Sequence, residues 1–501
     1  MKFCFQNKQF IEIDTDKFKP ALIDANRTLS WLEFYEEVNL LIDFFKKNDF
    51  LKTSKPVLIY GHKQAEMLVA MYACISMKLT YIPIDLIYPK ERIEKICAIS
   101  EVEIIINCTQ KVIGLANTNE LHLVKKEVNL VQTSSIAIAN KTNIDDPLIY
   151  ILFTSGSTGE PKGVQISSEA IQSFSRWMST DFGFTNEDVF FNIAVFSFDL
   201  SVFEIISFAS LGATLVLNEK ECCENQDALL NRLEKTKATV WISTPSFAFI
   251  FSRIMDDERF RMLKFFLFCG EVLTNSLAKN IKNYLPEVTL FNTYGPTEAT
   301  VATTIVEITP EIINLYNPLP VGYPKREAEI IIDKSETEES GEIIIVGPHV
   351  SKGYLNRNDL NLEKYFMKEN LRAFKTGDLG YFKDGMLFCS GRNDDQVKWN
   401  GFRIELNEIT KNILKINGVI EAVTVALKRN HEVKKIISFV ILSEQKEKDV
   451  MNSEFKKLLS DFLPYYMIPG DIESVNEFPY NQNFKIDKSK LIEEYLKNQF
   501  S

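Results

Sequence analysis

The sequence predicts an α/β multidomain protein, and its patterning supports this in three ways. Short, apolar, β-rich runs such as Lys55–Gly61 (KPVLIYG), Leu79–Ile84 (LTYIPI) and Glu101–Cys108 (EVEIIINC) alternate with helix-length segments, which argues for layers built on mainly parallel strands. From GEIIIVG at Gly341 through KTGDLGYF to GMLFCSGR, short strands sit between glycine turns, which predicts a small antiparallel or distorted β-barrel region. After Arg392 the pattern returns to helix and strand in NEITKNILKI, AVTVALKR and IISFVILS, a small α+β domain. A chain of 501 residues is too long for one ordinary core. The polar turn Asn393–Asp395 is the expected boundary, dividing a large N-terminal part (1–393) from a C-terminal domain (394–501).

Hydrophobic content of 45% and charged content of 25% are those of a globular protein, with no low-complexity tract and no internal repeat. A net charge of -11 argues against a general nucleic-acid or membrane-surface binder, either of which needs a basic face. The eight cysteines are scattered, and the one close pair, Cys222 and Cys223, is adjacent rather than spaced for zinc or a disulfide framework. Reduced thiols follow, and with them a cytoplasmic location. The four histidines, His62, His122, His349 and His431, have no metal spacing and read as structural. The N-terminus lacks a basic start followed by an apolar core, so it does not read as a signal peptide. Phe191–Leu217 is strongly apolar but contains Asp199 and Glu204, each costing roughly 2.5 to 3.5 kcal/mol at a bilayer centre. A buried strand and helix lining a site is the expectation there, with no membrane insertion.

Between Leu152 and Gly163 the chain reads LFTSGSTGEPKG, a loop rich in donors and closed by Lys162. Glycines let the backbone approach an anion, successive N–H groups and hydroxyls donate to it, and Lys162 adds charge. The spacing is neither a Walker A loop nor G-x-G-x-x-G. Taken alone, the run reads equally as a surface turn.

TSGSTGEPKG resembles the phosphate-loop signature of the adenylate-forming superfamily, which includes acyl-CoA synthetases, luciferases and peptide-synthetase adenylation domains. Seven further segments follow that family's pattern: YIPID (81–85), FSFDLSVFE (196–204), NTYGPTEAT (292–300), GEIIIVGPHVSKGYL (341–355), KTGDLG (375–380), GRNDDQVKWNGFRIEL (391–406) and NFKIDK (483–488). The resemblance implies a small, mobile C-terminal domain and an adenylation reaction using ATP and Mg²⁺. Adenylation needs no side-chain nucleophile, because catalysis is mainly positioning and charge neutralisation. By resemblance, Thr154, Ser155, Gly156, Ser157, Thr158, Gly159 and Lys162 wrap the terminal phosphates, Thr297 reaches the α-phosphate and Glu298 holds the metal. Asn292, Thr293, Tyr294 and Gly295 flank the adenine, while Asp378 and Arg392 serve the ribose. Lys485 is the catalytic lysine, bridging substrate carboxylate and α-phosphate. Phe484 stands where the family has glycine, a departure because phenylalanine does not readily take positive φ. Asp394 is the implied hinge.

Asp199 lies where amino-acid-activating members of the family hold the substrate ammonium; as a bare sequence feature it also reads as a helix cap. FSFDLSVFE, STPSF (243–247), FCGEVL (268–273), FNTYGPTEATVA (291–302), EIT (307–309) and LPVGYPK (319–325) are most similar to the branch that loads D-alanine onto a carrier protein. That likeness implies a shallow pocket of Phe268, Cys269, Phe291 and Val301, with Cys269 packing rather than reacting. The chain runs sixteen residues beyond Lys485, so the acceptor is expected to be a separate phosphopantetheinylated carrier protein, and the enzyme a monomer. Two other readings stand: an adenylation enzyme using another small amino acid in peptide natural-product synthesis, and a weakened nucleotide-binding protein.

Overall fold

Parallel pairing dominates the two large sheets, as strands apolar on both faces require. The computed structural model describes residues 3–6, 9–12, 16–48, 55–115, 118–124, 126–132, 147–156, 160–335, 338–392, 394–429, 432–444, 447–480 and 486–499. The chain packs as two compact units. The first is Met1–Leu86, Cys97–Phe153 and Gly163–Asn393; the second is Ile87–Ile96, Thr154–Lys162 and Asp394–Ser501.

In the first unit, a seven-stranded sheet runs in the order Lys162–Ser167, Leu148–Thr154, Tyr81–Asp85, Val57–Gly61, Ile104–Asn107, Asn119–Val124 and Glu127–Gln132. Its pairings are parallel from 148–154 across to 119–124 and end in an antiparallel hairpin. Helix Ala65–Ser76 has no polar stripe and is buried from Ala65 to Ile75, as a helix sandwiched between layers must be. Helix Trp31–Lys47 packs on it, started by a capping box in which Ser30 and Glu33 satisfy each other's backbone N–H. Trp31 stacks on Phe208 at 5.2 Å, and Phe34 and Tyr72 meet the same ring edge-on.

The second large sheet has nine strands, with the parallel set Thr289–Tyr294, Phe265–Phe268, Val240–Ser243, Val189–Asn192, Thr214–Leu217 and Pro20–Ile23 at its centre. The apolar stretch at 191–217 is strand, helix Ser201–Leu211 and strand, as expected, with Glu204 fully buried. No helix among the described residues is long and apolar enough to cross a membrane. Where the sequence predicts a barrel-like region, Glu329–Asp333, Gly341–Val346, Tyr365–Lys368, Leu371–Lys383 and Met386–Arg392 form a five-stranded antiparallel sheet. Among the described residues its edges do not pair to close a barrel.

The second unit has its own core. Hairpin Gln396–Trp399/Phe402–Glu405 precedes helix Leu406–Ile413, and a three-stranded sheet (Val419–Arg429, Glu432–Leu442, Asp471–Ser474) packs with helix Lys448–Leu459 around Ile409, Ile436, Met451 and Phe455.

Candidate active site

In open α/β sheets, ligands bind beyond the carboxyl ends of the parallel strands, where loops leave backbone and side chains free to converge. The sequence-predicted residues of the first unit lie there. Asp199 follows strand Val189–Asn192, Cys269 follows Phe265–Phe268, and Asn292 to Gly295 end strand Thr289–Tyr294 and begin the next loop. The Thr297 hydroxyl donates to Asp199 Oδ2 at 2.6 Å. Helix Ser201–Leu211 starts without a side-chain cap, so the carboxylate of Asp199 points to Thr297 rather than capping that helix. The two residues expected at the substrate ammonium and the α-phosphate are thus already hydrogen-bonded to each other.

Glu298 sits in the short 3₁₀ turn Thr297–Ala299, fully buried, and its Oε1 accepts from the Tyr354 hydroxyl at 2.6 Å. Asp378 accepts from the Tyr294 hydroxyl at 2.7 Å and pairs through its other oxygen with Arg392. Burial, with Asp378 next in effect, pushes the Tyr294 phenol far above its ordinary pKa, so it stays a donor. Asn292 donates from Nδ2 to the Pro320 carbonyl at 2.8 Å, while its buried Oδ1 has no hydrogen-bond partner among the described residues. Thr293 donates to the Phe268 carbonyl at 2.9 Å, a structural role. Gly295 is glycine because a Cβ there would lie 2.4 Å from Ala302 Cα.

The expected pocket residues divide. Alternation along Phe265–Phe268 and into Cys269 sends Leu267 and Cys269 to one face of the sheet and Phe266 and Phe268 to the other. Cys269, Phe291 and Val301 share one apolar cluster, and Cys269 Sγ faces the Val301 carbonyl at 3.9 Å. Phe268 packs in the other cluster with Trp241 and Phe266. Glu204 accepts from Asn192 Nδ2 at 2.6 Å, and burial drives its carboxyl far above the usual range, so it reads as a neutral core acid.

In the second unit, the described part of the phosphate loop has partners that sequence reasoning missed. Ser155 Oγ donates to the Arg403 carbonyl at 2.7 Å and accepts from Glu405 N at 3.1 Å. The Gly156 N–H donates to Glu408 Oε2 at 2.9 Å, and Lys162 Nζ to Glu405 Oε1 at 3.1 Å. Arg92 donates to the second oxygen of Glu408 at 2.8 Å, and Gln396 to Glu405 at 2.8 Å. Gly156 admits no side chain, since a Cβ would meet the Glu160 carbonyl at 1.8 Å. Thr154 Oγ1 is buried without a partner among the described residues. Asp394 accepts from Gln396 N at 3.2 Å. Ser157, Thr158, Gly159, Phe484 and Lys485 lie outside the described residues. In sequence, Glu405 and Glu408 read as acids at the start of a helix, complementing its dipole; only the fold brings them to the loop.

An acid bonded to a loop hydroxyl at the carboxyl edge of a parallel sheet, together with a buried carboxylate–arginine–tyrosine group, is an arrangement suited to a nucleotide-using α/β enzyme. The chain belongs to the AMP-binding enzyme family, whose model matches residues 13–355. It is 38% identical over 491 residues to a D-alanine--D-alanyl carrier protein ligase of Bacillus cereus, covering 95% of this chain and 96% of that one. The Bacillus licheniformis ligase of the same name is 35% identical over 505 residues, covering 99% of each. Among solved structures, the Vibrio cholerae adenylation domain AlmE, in complex with glycyl-adenosine-5'-phosphate, superposes with a TM-score of 0.80 at 22% identity, covering 96% of this chain and 95% of that one.

Proposed function

We propose that this protein is an ATP-dependent ligase that activates D-alanine as D-alanyl-AMP and then loads it onto the pantetheine thiol of a separate carrier protein. In the first step a carboxylate oxygen of the amino acid attacks the α-phosphorus of ATP and the bond to pyrophosphate breaks. In the second the thiol sulfur attacks the acyl carbon, its proton is lost and AMP leaves. The observation that carries the reading is the 2.6 Å hydrogen bond between Asp199 and Thr297, which joins an ammonium-binding carboxylate to a phosphate-binding hydroxyl. The names of relatives sharing 35–38% identity over most of the chain support D-alanine and the carrier protein.

In this reading Thr154, Ser155, Gly156, Ser157, Thr158, Gly159 and Lys162 bind the terminal phosphates, and Thr297 the α-phosphate. Asn292 and Tyr294 flank the adenine, with Asn292 Oδ1 accepting from it. Asp378, oriented by Arg392 and Tyr294, accepts from the ribose hydroxyls. Lys485 neutralises the charge that shifts toward pyrophosphate. The donor set suits magnesium: Glu298 would supply one buried carboxylate, enough for a cation that otherwise binds phosphate and water, and the bound ion would neutralise phosphate charge. Cys269, Phe291 and Val301 bound the side-chain pocket. The domain boundary lies at 393–394, with Asp394 as pivot, and the enzyme works as a cytoplasmic monomer.

Amino-acid-dependent ATP–pyrophosphate exchange over a panel of small amino acids in both enantiomers tests this. Exchange is expected to be strongest with D-alanine. A preference for another amino acid would move the protein to peptide natural-product chemistry, and no exchange with any would leave a nucleotide-binding protein.

A further inference from the structure

Just past the candidate α-phosphate residue, the backbone enters the left-handed region twice in succession, at Thr300 (φ 53°) and Val301 (φ 71°). Both are β-branched, the residue class least suited to that region, so the turn persists only because its surroundings hold it. Strain of this kind concentrates where a ligand is gripped. The holding contacts come from two buried residues with no part in the chemistry above. The Thr300 hydroxyl donates to the His349 carbonyl at 2.6 Å, and Thr303 Oγ1 meets His349 Nε2 at 3.1 Å. Lys325 hydrogen-bonds the next stretch twice: its backbone N–H donates to the Thr303 carbonyl at 2.8 Å, and its Nζ to the Ala302 carbonyl at 3.2 Å.

Lys325 is an unusual choice for that task. It is 3% exposed, and its amine lies over the faces of Trp177 at 5.2 Å and Phe174 at 5.8 Å. The Ala302 carbonyl is the one hydrogen-bond acceptor of Nζ among the described residues. Burial drives its pKa well below the ordinary lysine value. A methionine or leucine would fill this space without the desolvation of an amine, so stability alone does not account for a lysine here. What the amine adds is a fixed position for the Ala302 carbonyl, and hence for Val301, whose own carbonyl faces Cys269 Sγ.

We propose that Lys325 is a positioning residue for amino-acid selectivity: by tethering Ala302 it holds Val301 against Cys269 and so sets the size and handedness of the side chain the pocket admits. This rests on the D-alanine reading. Lys325 touches neither substrate nor nucleotide in this role, and acts through the strained turn.

Lys325→Met keeps the length and the contact with the aromatic faces but cannot donate. Pyrophosphate exchange is measured with D-alanine, L-alanine and D-2-aminobutyrate, with ATP titrated separately. The expected result is a fall of about tenfold in the D-over-L ratio of kcat/KM, a matching gain for the larger side chain, and a KM for ATP changed by less than about twofold. If that variant does not fold, Lys325→Gln, which retains an N–H donor at shorter reach, carries the comparison, with a smaller loss of selectivity expected. A folded variant with the wild-type D-over-L ratio, or one in which both enantiomers lose activity equally, overturns the inference. A wild-type protein that exchanges with neither enantiomer overturns the functional reading, and the inference with it.

Discussion

The Asp199 carboxylate, half-buried, lies beside the hydroxyl of Thr297, which is buried. Asp199→Asn tests the charge while sparing the geometry, since the amide oxygen still accepts from Thr297. Loss of the charge partner for a substrate ammonium is expected to cost about 2 to 5 kcal/mol in kcat/KM for the amino acid. ATP affinity, measured by nucleotide titration, should change little, and near-normal exchange by the variant would remove Asp199 from ammonium binding. At this scale the roles proposed for Asp199, Asp378 and Glu298 come from their motif positions. The Glu298 partner Tyr354 was not legible in the sequence, nor was the pair of Arg92 with Glu408, because each contact crosses a wide gap in the chain: Tyr354 reaches Glu298 over 56 positions and Arg92 reaches Glu408 over 316. Which cluster each neighbour joins was not legible either: Cys269 packs in one apolar cluster, and strand alternation sends Phe268 into the other.

The phosphate loop shows how an element acquires a second role. Its Ser155 hydroxyl, Gly156 N–H and Lys162 ammonium are the donors an anion needs, and Glu405 and Glu408 already engage the last two. On the proposed reading, two carboxylates and the phosphates of ATP compete for the same groups. Glu405→Gln weakens one competitor by on the order of 1 kcal/mol, since hydrogen bonds to charged acceptors are the stronger ones. The expected outcome is a KM for ATP several-fold lower, with the KM for the amino acid unchanged. Steady-state exchange kinetics check this, and a raised KM for ATP would mean that Glu405 supports nucleotide binding instead. The loop was recognisable from its glycines and hydroxyls, and Gly156 is required sterically by the Glu160 carbonyl. Its carboxylate partners were hidden because Glu405 and Glu408 lie about 250 positions away, at the head of helix Leu406–Ile413.

Across the whole molecule, the main chain passes from the first packed unit to the second between Asn393 and Asp394. The proposed function, with one site serving two half-reactions, predicts that the C-terminal part reorients, and boundary residues absorb such changes in φ and ψ. Asp394→Pro fixes φ near about -65° at that crossing. Retained pyrophosphate exchange with strongly impaired carrier loading, both measured on one preparation, is the expected result; equal losses in both, or none in either, would put the pivot elsewhere.

What the sequence determined by itself is what local chemistry encodes. Apolar runs of strand length, separated by helix-length segments, argue for parallel layers, and glycines and hydroxyls at fixed spacing match the family's phosphate-loop signature. Ordered motifs carry the family. The tertiary structure alone decided which side chains meet. It assigned 87–96 and 154–162 to the packed unit of 394–501, turned Phe268 into the core, and set Lys325 and His349 behind the strained turn at Thr300 and Val301. Periodicity and propensity act over a few neighbouring residues, whereas burial, ion pairing and backbone strain depend on contacts between residues far apart in the chain.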